Sequence, residues 1–316
     1  MLLYGRREWG RTAWVLLVVL GFATGLVGQE IYRRSFGEMD DPTIIFLHGG
    51  PGYNSASFEG TTARTLAEAG FRVVVYDRRG EGRSVGTADY SFAQSVGDLD
   101  SLYGVYGIER ATLLGHSFGG IIATRFAEAH PERVTAVVLL AAPLSIPRSL
   151  QHILTSARQR YAAAGDTIGQ QRLEMVASMD TASLMYSSML LVEATRGGAY
   201  RPAVSTPLAD TLRSHLRADT VLSRYSGSPD YAPVLGFYAN EHYTTLDQTQ
   251  LVRALAQQLP VYAIYGTEDG LYAPAEVAEL EAILPAGHLR RVEGAAHNIF
   301  IDQQNEFIQQ LAHWLH

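Results

Sequence analysis

One short segment constrains the fold of this chain more than any other. An apolar run at residues 111–114 leads through Gly-His-Ser-Phe-Gly, residues 115–119, into a second apolar run that begins at Ile121. A G-x-S-x-G sequence between a strand and a helix is typical of a tight turn that lifts the serine hydroxyl clear of the sheet. Glycines flank the serine because side chains there would clash in so tight a turn. The pattern predicts Ser117 as a nucleophile at the carboxyl end of a buried strand.

The rest of the chain has the alternating pattern of an α/β protein. Short β-rich apolar runs alternate with amphipathic stretches of helical period, which predicts a mostly parallel central sheet flanked by helices. The predicted strands are residues 43–47, 72–76, 111–114, 134–140, 261–265 and 289–292, with residues 30–35 as a candidate antiparallel edge. A final helix is expected from about Asp302, because Phe307, Ile308, Leu311 and Leu315 share one helical face.

The alternation stops between residues 144 and 259, where the sequence is typical of several helices joined by loops. This stretch is too long for an ordinary connection, and ligands of open α/β sheets bind at the carboxyl edge of the strands. We therefore expect residues 144–259 to form a helical cap over that edge. Residues 29–143 and 260–316 would together form the core.

The amino terminus is the one segment unlike a globular enzyme. Residues 13–28 are apolar throughout and follow Arg6, Arg7 and Arg11. Residues 1–28 are predicted to be a signal peptide or a membrane anchor, and both alternatives stay open beside a cytoplasmic protein. The arginines on the amino-terminal side favour an exported or membrane-anchored protein with the catalytic domain outside the cytoplasm.

Two residue types are absent, and each absence excludes a chemistry. The chain has no cysteine, and all 25 of its basic residues are arginine. Thiol nucleophiles, disulfides, lysine Schiff bases and Ser–Lys dyads are therefore excluded. The net charge of −7 without a basic tract argues against a nucleic-acid partner. No histidine pair shows metal-ligand spacing with a carboxylate nearby, so we expect no metal and no cofactor, and a small molecule or short peptide as substrate.

A serine nucleophile needs a base and a group that orients the base. Asp269 and His297 each follow a predicted strand, and the order Ser117, Asp269, His297 predicts a catalytic triad. Glu268 is the immediate rival of Asp269, which could alternatively cap a helix at residues 275–284. His297 could alternatively be a surface histidine whose hydrogen bonds are purely structural.

The tetrahedral intermediate of acyl transfer needs two backbone N–H donors aimed at one point. Phe118, the residue after the nucleophile, is predicted to supply one donor. The glycine-rich stretch His-Gly-Gly-Pro-Gly, residues 48–52, follows another strand, and we expect Gly50 to supply the second donor. A simple Gly-Pro turn is the alternative interpretation.

Three motifs together carry a resemblance to a known family. They are HGGPG at residues 48–52, YDRRGEGRS at 76–84 and GHSFGG at 115–120. From Thr43 to its carboxyl terminus the chain resembles the α/β-hydrolase superfamily, and the motifs are similar to those of its prolyl iminopeptidase branch, in which the second reads D-x-R-G-x-G-x-S. The resemblance implies a protease that removes an N-terminal residue, often proline, and that holds the free ammonium with cap carboxylates.

The cap departs from the pattern of that branch. Residues 238–247 are similar to a family segment with a glutamate two positions before a His-Tyr pair, but here Asn240 holds that position and Glu241 follows it. Glu241 is a candidate amine ligand or a solvated helix residue. Glu193, a single acid in an apolar run, is a weaker candidate than Glu241, because a glutamate in such a run is buried only if it is paired.

The sequence therefore predicts a serine hydrolase that works through an acyl-enzyme. The leading hypothesis is an aminopeptidase that releases an N-terminal, proline-type residue from short peptides or aminoacyl amides. The alternative is a carboxylesterase or acyl amidase whose small substrate has no free amine. A non-catalytic ligand-binding protein on the same fold is the remaining hypothesis.

Overall fold

The computed structural model describes residues 31–227 and 229–316. Within them the chain forms seven strands, thirteen α-helices and four short helical turns. The strands are β1 (Arg33–Phe36), β2 (Thr43–Leu47), β3 (Arg72–Tyr76), β4 (Ala111–His116), β5 (Val134–Leu140), β6 (Val261–Gly266) and β7 (Leu289–Val292). The helices are α1 (Ala56–Phe58), α2 (Arg64–Glu68), α3 (Phe92–Tyr106), α4 (Phe118–Ala129), α5 (Ile146–Ala164), α6 (Thr167–Ala177), α7 (Leu184–Arg196), α8 (Pro207–Ala218), α9 (Tyr231–Glu241), α10 (Thr249–Leu255), α11 (Pro274–Ile283), α12 (Ile299–Asp302) and α13 (Gln304–Leu315). A π-helical turn (Glu59–Ala63) and three 3₁₀ turns (Pro131–Arg133, Leu222–Arg224 and Tyr243–Thr245) complete the list.

The strands form one sheet in the order β1-β3-β2-β4-β5-β6-β7. Only β1 runs antiparallel to its neighbour, and the other five pairings are parallel. Every residue of β3 and β4 is buried, as expected where helices cover both faces of a parallel sheet. The predicted α/β class, a mostly parallel sheet flanked by helices, is confirmed.

Four strands have the bounds predicted from the apolar runs, and three differ. Strand β4 continues two residues further, because His116 still pairs with Leu140 of β5. Strand β6 gains Gly266, which pairs with Val292. The edge strand β1 starts at Arg33, which pairs with Tyr76, rather than at residue 30. The hydrogen-bonded pairing with neighbouring strands therefore decides where these strands begin and end, which the pattern of apolar residues does not.

Helices α5–α10 follow β5 and precede β6 along the chain, in the stretch where the sequence predicts a cap. Two backbone hydrogen bonds join this stretch to loops at the carboxyl ends of the strands: Asp230 N donates to Gly52 O (2.8 Å), and Gly270 N donates to Ala199 O (3.0 Å). We propose that residues 144–259 are the cap, and that 29–143 and 260–316 form the core.

The predicted signal peptide or membrane anchor, residues 1–28, lies outside the described residues. In the described part, residues 31–227 and 229–316, no helix combines the length and the apolar character needed to span a membrane.

Candidate active site

Ser117 occupies a strained turn between β4 and α4. Its backbone has φ 52° and ψ −123°, a conformation that non-glycine residues rarely adopt. Two hydrogen bonds hold it there: Ser117 N donates to Leu140 O of β5 (2.9 Å), and Gly120 N donates to Ser117 O (2.9 Å). The serine is therefore presented at the carboxyl edge of the sheet, at the amino-terminal end of α4.

The glycines around Ser117 are required by close backbone contacts. A Cβ atom on Gly119 would lie 2.1 Å from Leu47 O at the end of β2, and one on Gly115 would lie 2.6 Å from the Cα of Gly120. Both distances are far below van der Waals contact. The G-x-S-x-G spacing therefore reflects the packing of the turn against its neighbouring strand and helix.

We expect Gly119→Ala to destabilise the protein by about 3 kcal/mol or more, because the new methyl group overlaps a main-chain carbonyl that cannot move independently of β2. The matched control is Gly97→Ala in α3, where the new Cβ atom would have no atom of another described residue within 4 Å outside its own stretch of helix. That control should stabilise by about 0.5–1 kcal/mol. Urea unfolding of the two variants measures both effects, and equal stabilities would contradict the packing argument.

The second and third predicted triad members meet at the same edge. His297 Nδ1 donates to Asp269 Oδ2 (2.9 Å), and Leu271 N donates to the other carboxylate oxygen of Asp269 (3.1 Å). Both side chains are buried. The rival Glu268 points elsewhere, since its Oε2 accepts a hydrogen bond from Ala203 N in the cap. The pair holds the proton on His297 Nδ1 and leaves Nε2 as an acceptor.

A second histidine connects His297 to the serine turn. His116, which directly precedes Ser117, donates from Nε2 to His297 O (3.0 Å), and the two ring centroids are 4.8 Å apart. Burial and the nearby His297 lower the pKa of His116 to about 3. His116 is therefore neutral and acts as a hydrogen-bond donor that ties the loop of His297 to the serine turn.

Two tyrosines that the sequence did not single out surround His297. The ring of Tyr200, from the loop after α7, is perpendicular to the His297 ring at 5.4 Å. Tyr272 lies 6.0 Å from the same ring, and its hydroxyl donates to Ala141 O (2.7 Å). Tyr272 could have been identified from the sequence as a neighbour of the site, because it lies three residues after Asp269. Tyr200 had none, because it comes from the cap, 97 positions before the histidine.

The glycine-rich loop, residues 48–52, lies beside Ser117. A Cβ atom on Gly49 would be 3.2 Å from Ser117 Cβ, and Gly50 has φ 132°. Among the hydrogen bonds formed between described residues, none has the N–H of Gly50 or of Phe118 as its donor. The two predicted oxyanion donors are thus unengaged next to the serine turn, and their catalytic role stays a prediction.

The loop rests on side chains from the YDRRGEGRS turn. Arg78 donates from Nη1 to His48 O (2.5 Å) and from Nη2 to Gly49 O (2.7 Å). Glu81 pairs with Arg78 (2.7 Å) and accepts a hydrogen bond from Gly52 N (3.2 Å). Burial raises the pKa of Glu81 to about 7, although the charge of Arg78 opposes the shift.

This shift predicts that Glu81 makes stability depend on pH. The folded state holds the proton more tightly than the unfolded chain, so its stabilising contribution is complete below about pH 4.5 and is lost as pH rises towards 7. We expect the free energy of unfolding of the wild type to fall by about 3 kcal/mol more over this range than that of Glu81→Gln. Urea unfolding at several pH values measures this, with the exposed Glu68→Gln as control. A parallel pH dependence for Glu81→Gln and wild type would contradict it.

The two candidate amine ligands lie in other surroundings. The carboxylate of Glu193 is buried and ion-paired with Arg172 (2.9 Å), Arg196 (2.7 Å) and Arg160 (3.6 Å), and it accepts a hydrogen bond from Tyr161 Oη. Burial alone would raise the pKa of Glu193, but the hydrogen bonds from Tyr161 and Arg172 outweigh it and lower the pKa. Glu193 therefore already has its cationic partners.

Glu241 accepts a hydrogen bond from the first turn of a helix. Its Oε1 accepts a hydrogen bond from Phe92 N, the first residue of α3 (2.6 Å). Glu241 lines a surface cavity with Phe92 and Arg125, and none of the predicted triad residues lines that cavity. Asn240 donates to Asp89 O in the same region. This part of the cap is braced against α3, and the sequence had no signal for that contact across about 150 positions.

Among the described residues, no group of three or more histidine or acidic side chains is arranged to hold a metal ion.

Comparisons with known proteins agree with this architecture. Residues 42–304 match the family model described as alpha/beta hydrolase fold. A proline iminopeptidase of Lactiplantibacillus plantarum is 26% identical over 306 residues, covering 91% of this chain and 97% of the relative. A proline iminopeptidase of Lactobacillus helveticus is 22% identical over 299 residues, covering 92% and 95%.

Solved structures give the same result. A proline iminopeptidase-related protein from Thermus thermophilus is 25% identical with a TM-score of 0.65, covering 90% of this chain and 94% of that one. An esterase from Rhodococcus sp. ECU1013 shares the fold at 20% identity and a TM-score of 0.62, with the same coverage. The sheet, the serine turn and the family match over residues 42–304 together establish that this chain belongs to the α/β-hydrolase family.

Proposed function

We propose that this protein is a serine hydrolase that forms an acyl-enzyme at Ser117. The observation that carries the proposal is the strained serine turn beside the buried His297–Asp269 pair, at the same edge of the sheet. This is the set of groups that converts a weak hydroxyl nucleophile into a reactive one. In the described residues every member of the set comes from the loop or turn that follows a strand.

The reaction proceeds in two halves. His297 Nε2 takes the proton of Ser117 Oγ as that oxygen attacks the substrate carbonyl, and the N–H groups of Gly50 and Phe118 stabilise the resulting oxyanion. His297 then gives the proton to the leaving group, which departs and leaves an acyl-enzyme. Water, activated by the same histidine, releases the acid, while Asp269 keeps the imidazole oriented and stabilises its protonated form.

We propose a small carboxylic ester or acyl amide without a free amine as the substrate. Recognition of a free ammonium requires an available carboxylate, because a desolvated cation must be paired. Glu193 is already saturated by three arginines and a tyrosine, and Glu241 is engaged with the start of α3. This arrangement disfavours both as amine ligands.

The second candidate is an aminopeptidase that releases an N-terminal residue. The names of the relatives favour it, since two proline iminopeptidases align with more than 90% of this chain. The HGGPG and D-x-R-G-x-G-x-S motifs favour it too. Under this candidate the ammonium would be bound by groups other than Glu193 and Glu241.

A substrate panel separates the two candidates. It comprises p-nitrophenyl acetate and butyrate, prolyl and alanyl p-nitroanilides, and the N-acetylated forms of both anilides. Turnover of the esters or acetylated anilides, without preference for a free amine, supports the proposal. Cleavage of the free-amine anilides alone would overturn it in favour of the aminopeptidase.

A further inference from the structure

Arg78 touches both segments that are predicted to build the oxyanion hole. Its side chain is 3% exposed and lies under the glycine-rich loop, where Nη2 is 3.0 Å from the position of a Cβ atom on Gly50. Its guanidinium carbon is 5.4 Å from the centre of the Phe118 ring. A buried guanidinium therefore lies beside Gly50 and beside the side chain of Phe118.

The hydrogen bond from Arg78 to Gly49 O acts on the peptide group of the first donor. Gly49 C=O and Gly50 N–H belong to one planar peptide unit, and in a trans peptide the two groups point in opposite directions. Donors that hold the carbonyl therefore set the direction of the N–H, and Arg78 shares this carbonyl with His48 Nδ1, which donates to it at 2.8 Å. The bond from Arg78 is charge-assisted (2.7 Å), and polarisation of the carbonyl makes the N–H of the same unit a stronger donor.

Further contacts keep Arg78 in this position. Its Nη1 holds His48 O (2.5 Å), its backbone N–H donates to His48 Nε2 (3.0 Å), and Glu81 pairs with its guanidinium (2.7 Å). Glu81 also accepts a hydrogen bond from Gly52 N, at the other end of the loop. Arg78 and Glu81 occupy unspecified positions of the D-x-R-G-x-G-x-S motif, so their role does not follow from that motif.

We propose that Arg78 is a positioning residue of the oxyanion hole, which orients and polarises the Gly49–Gly50 peptide so that the Gly50 N–H binds the developing oxyanion. The inference rests on the proposed function, since it requires an oxyanion to form at Ser117. It adds a charged group that acts through the backbone and does not itself touch the substrate.

The test compares Arg78→Met and Arg78→Lys with the matched control Arg133→Met, whose arginine lies outside the three motifs and is paired with Asp100 of α3. We expect Arg78→Met to lower kcat for p-nitrophenyl butyrate by about 10–100-fold with KM changed by less than about 3-fold, somewhat below the loss of a whole oxyanion donor. Arg78→Lys, which keeps a cation, should lose about 5–10-fold. Arg133→Met should stay within about 2-fold of wild type.

Two further readouts exclude a merely structural role. Rates are expressed per site labelled by a fluorophosphonate, so that unfolded protein does not count. Phenylboronic acid, which forms a tetrahedral adduct with a serine hydroxyl, should bind Arg78→Met more weakly by about the same factor as the loss in kcat.

An Arg78→Met protein with wild-type kcat per labelled site would overturn the inference. If that variant does not fold, wild-type kcat per labelled site in Arg78→Lys would overturn it equally. A wild-type protein that shows neither labelling nor turnover dependent on Ser117 would instead overturn the proposed function, and the inference with it.

Discussion

Replacing Ser117 with alanine is expected to remove hydrolysis, with kcat falling by about 10⁵-fold or more on every substrate that the wild type turns over. The substitution deletes the attacking oxygen. It leaves the backbone hydrogen bonds of the turn in place, because Leu140 O and Gly120 N are hydrogen-bonded to the main chain of Ser117. The folded state should therefore survive while the chemistry stops.

Hydrolysis of p-nitrophenyl butyrate, together with fluorophosphonate labelling, measures this effect. Ser101→Ala is the matched control, since Ser101 is an exposed serine of α3 whose hydroxyl donates to Gly97 O in the same helix. Full turnover by Ser117→Ala would refute the acyl-enzyme mechanism. A wild type that binds a ligand without Ser117-dependent turnover would favour the ligand-binding alternative.

Asp269→Asn should lower kcat by about 10⁴-fold, because an amide cannot hold the proton of His297 on Nδ1 or stabilise the imidazolium. Glu268→Gln is the matched control. Glu268 is the neighbouring acid, and its carboxylate accepts a hydrogen bond from Ala203 N. It should retain activity within about 3-fold of wild type. The pair of variants separates the two acids that the sequence left as rivals.

Steady-state kinetics across pH 5–9 measures both variants. The activity that remains in Asp269→Asn should rise with pH, because hydroxide can replace part of the lost base function. A large loss in Glu268→Gln with activity retained in Asp269→Asn would reverse the assignment and contradict the observed 2.9 Å contact.

The predictable parts of the site are those whose chemistry is local in sequence. The serine turn needs small residues at fixed offsets, and Gly115 and Gly119 are indeed held against neighbouring backbone. The strands were readable because both faces of a parallel sheet are apolar. The positions of the loops after β6 and β7 reduced the candidates for the other two triad members to a few acids and one histidine.

The choice between Asp269 and Glu268 was not local. The chain turns after Gly266 so that Asp269 faces His297, and Leu271 N holds its second oxygen. Glu268, one residue earlier, faces the cap. Side-chain direction in such a loop depends on backbone contacts with distant segments, which a pattern of residue types does not encode.

The sequence by itself determined the fold class, the position of Ser117 in a strained turn, and a short list of partners for it. Only the tertiary structure decided how charged residues are used. Glu193 meets Arg160 and Arg172 from two other helices, in addition to Arg196 of its own helix. Glu241 meets the start of α3, and Arg78 holds the loop of Gly50. The physical reason is that hydrophobic periodicity and turn chemistry act over a few residues. Pairing of a buried charge depends instead on which distant side chain the fold brings within about 3 Å of it.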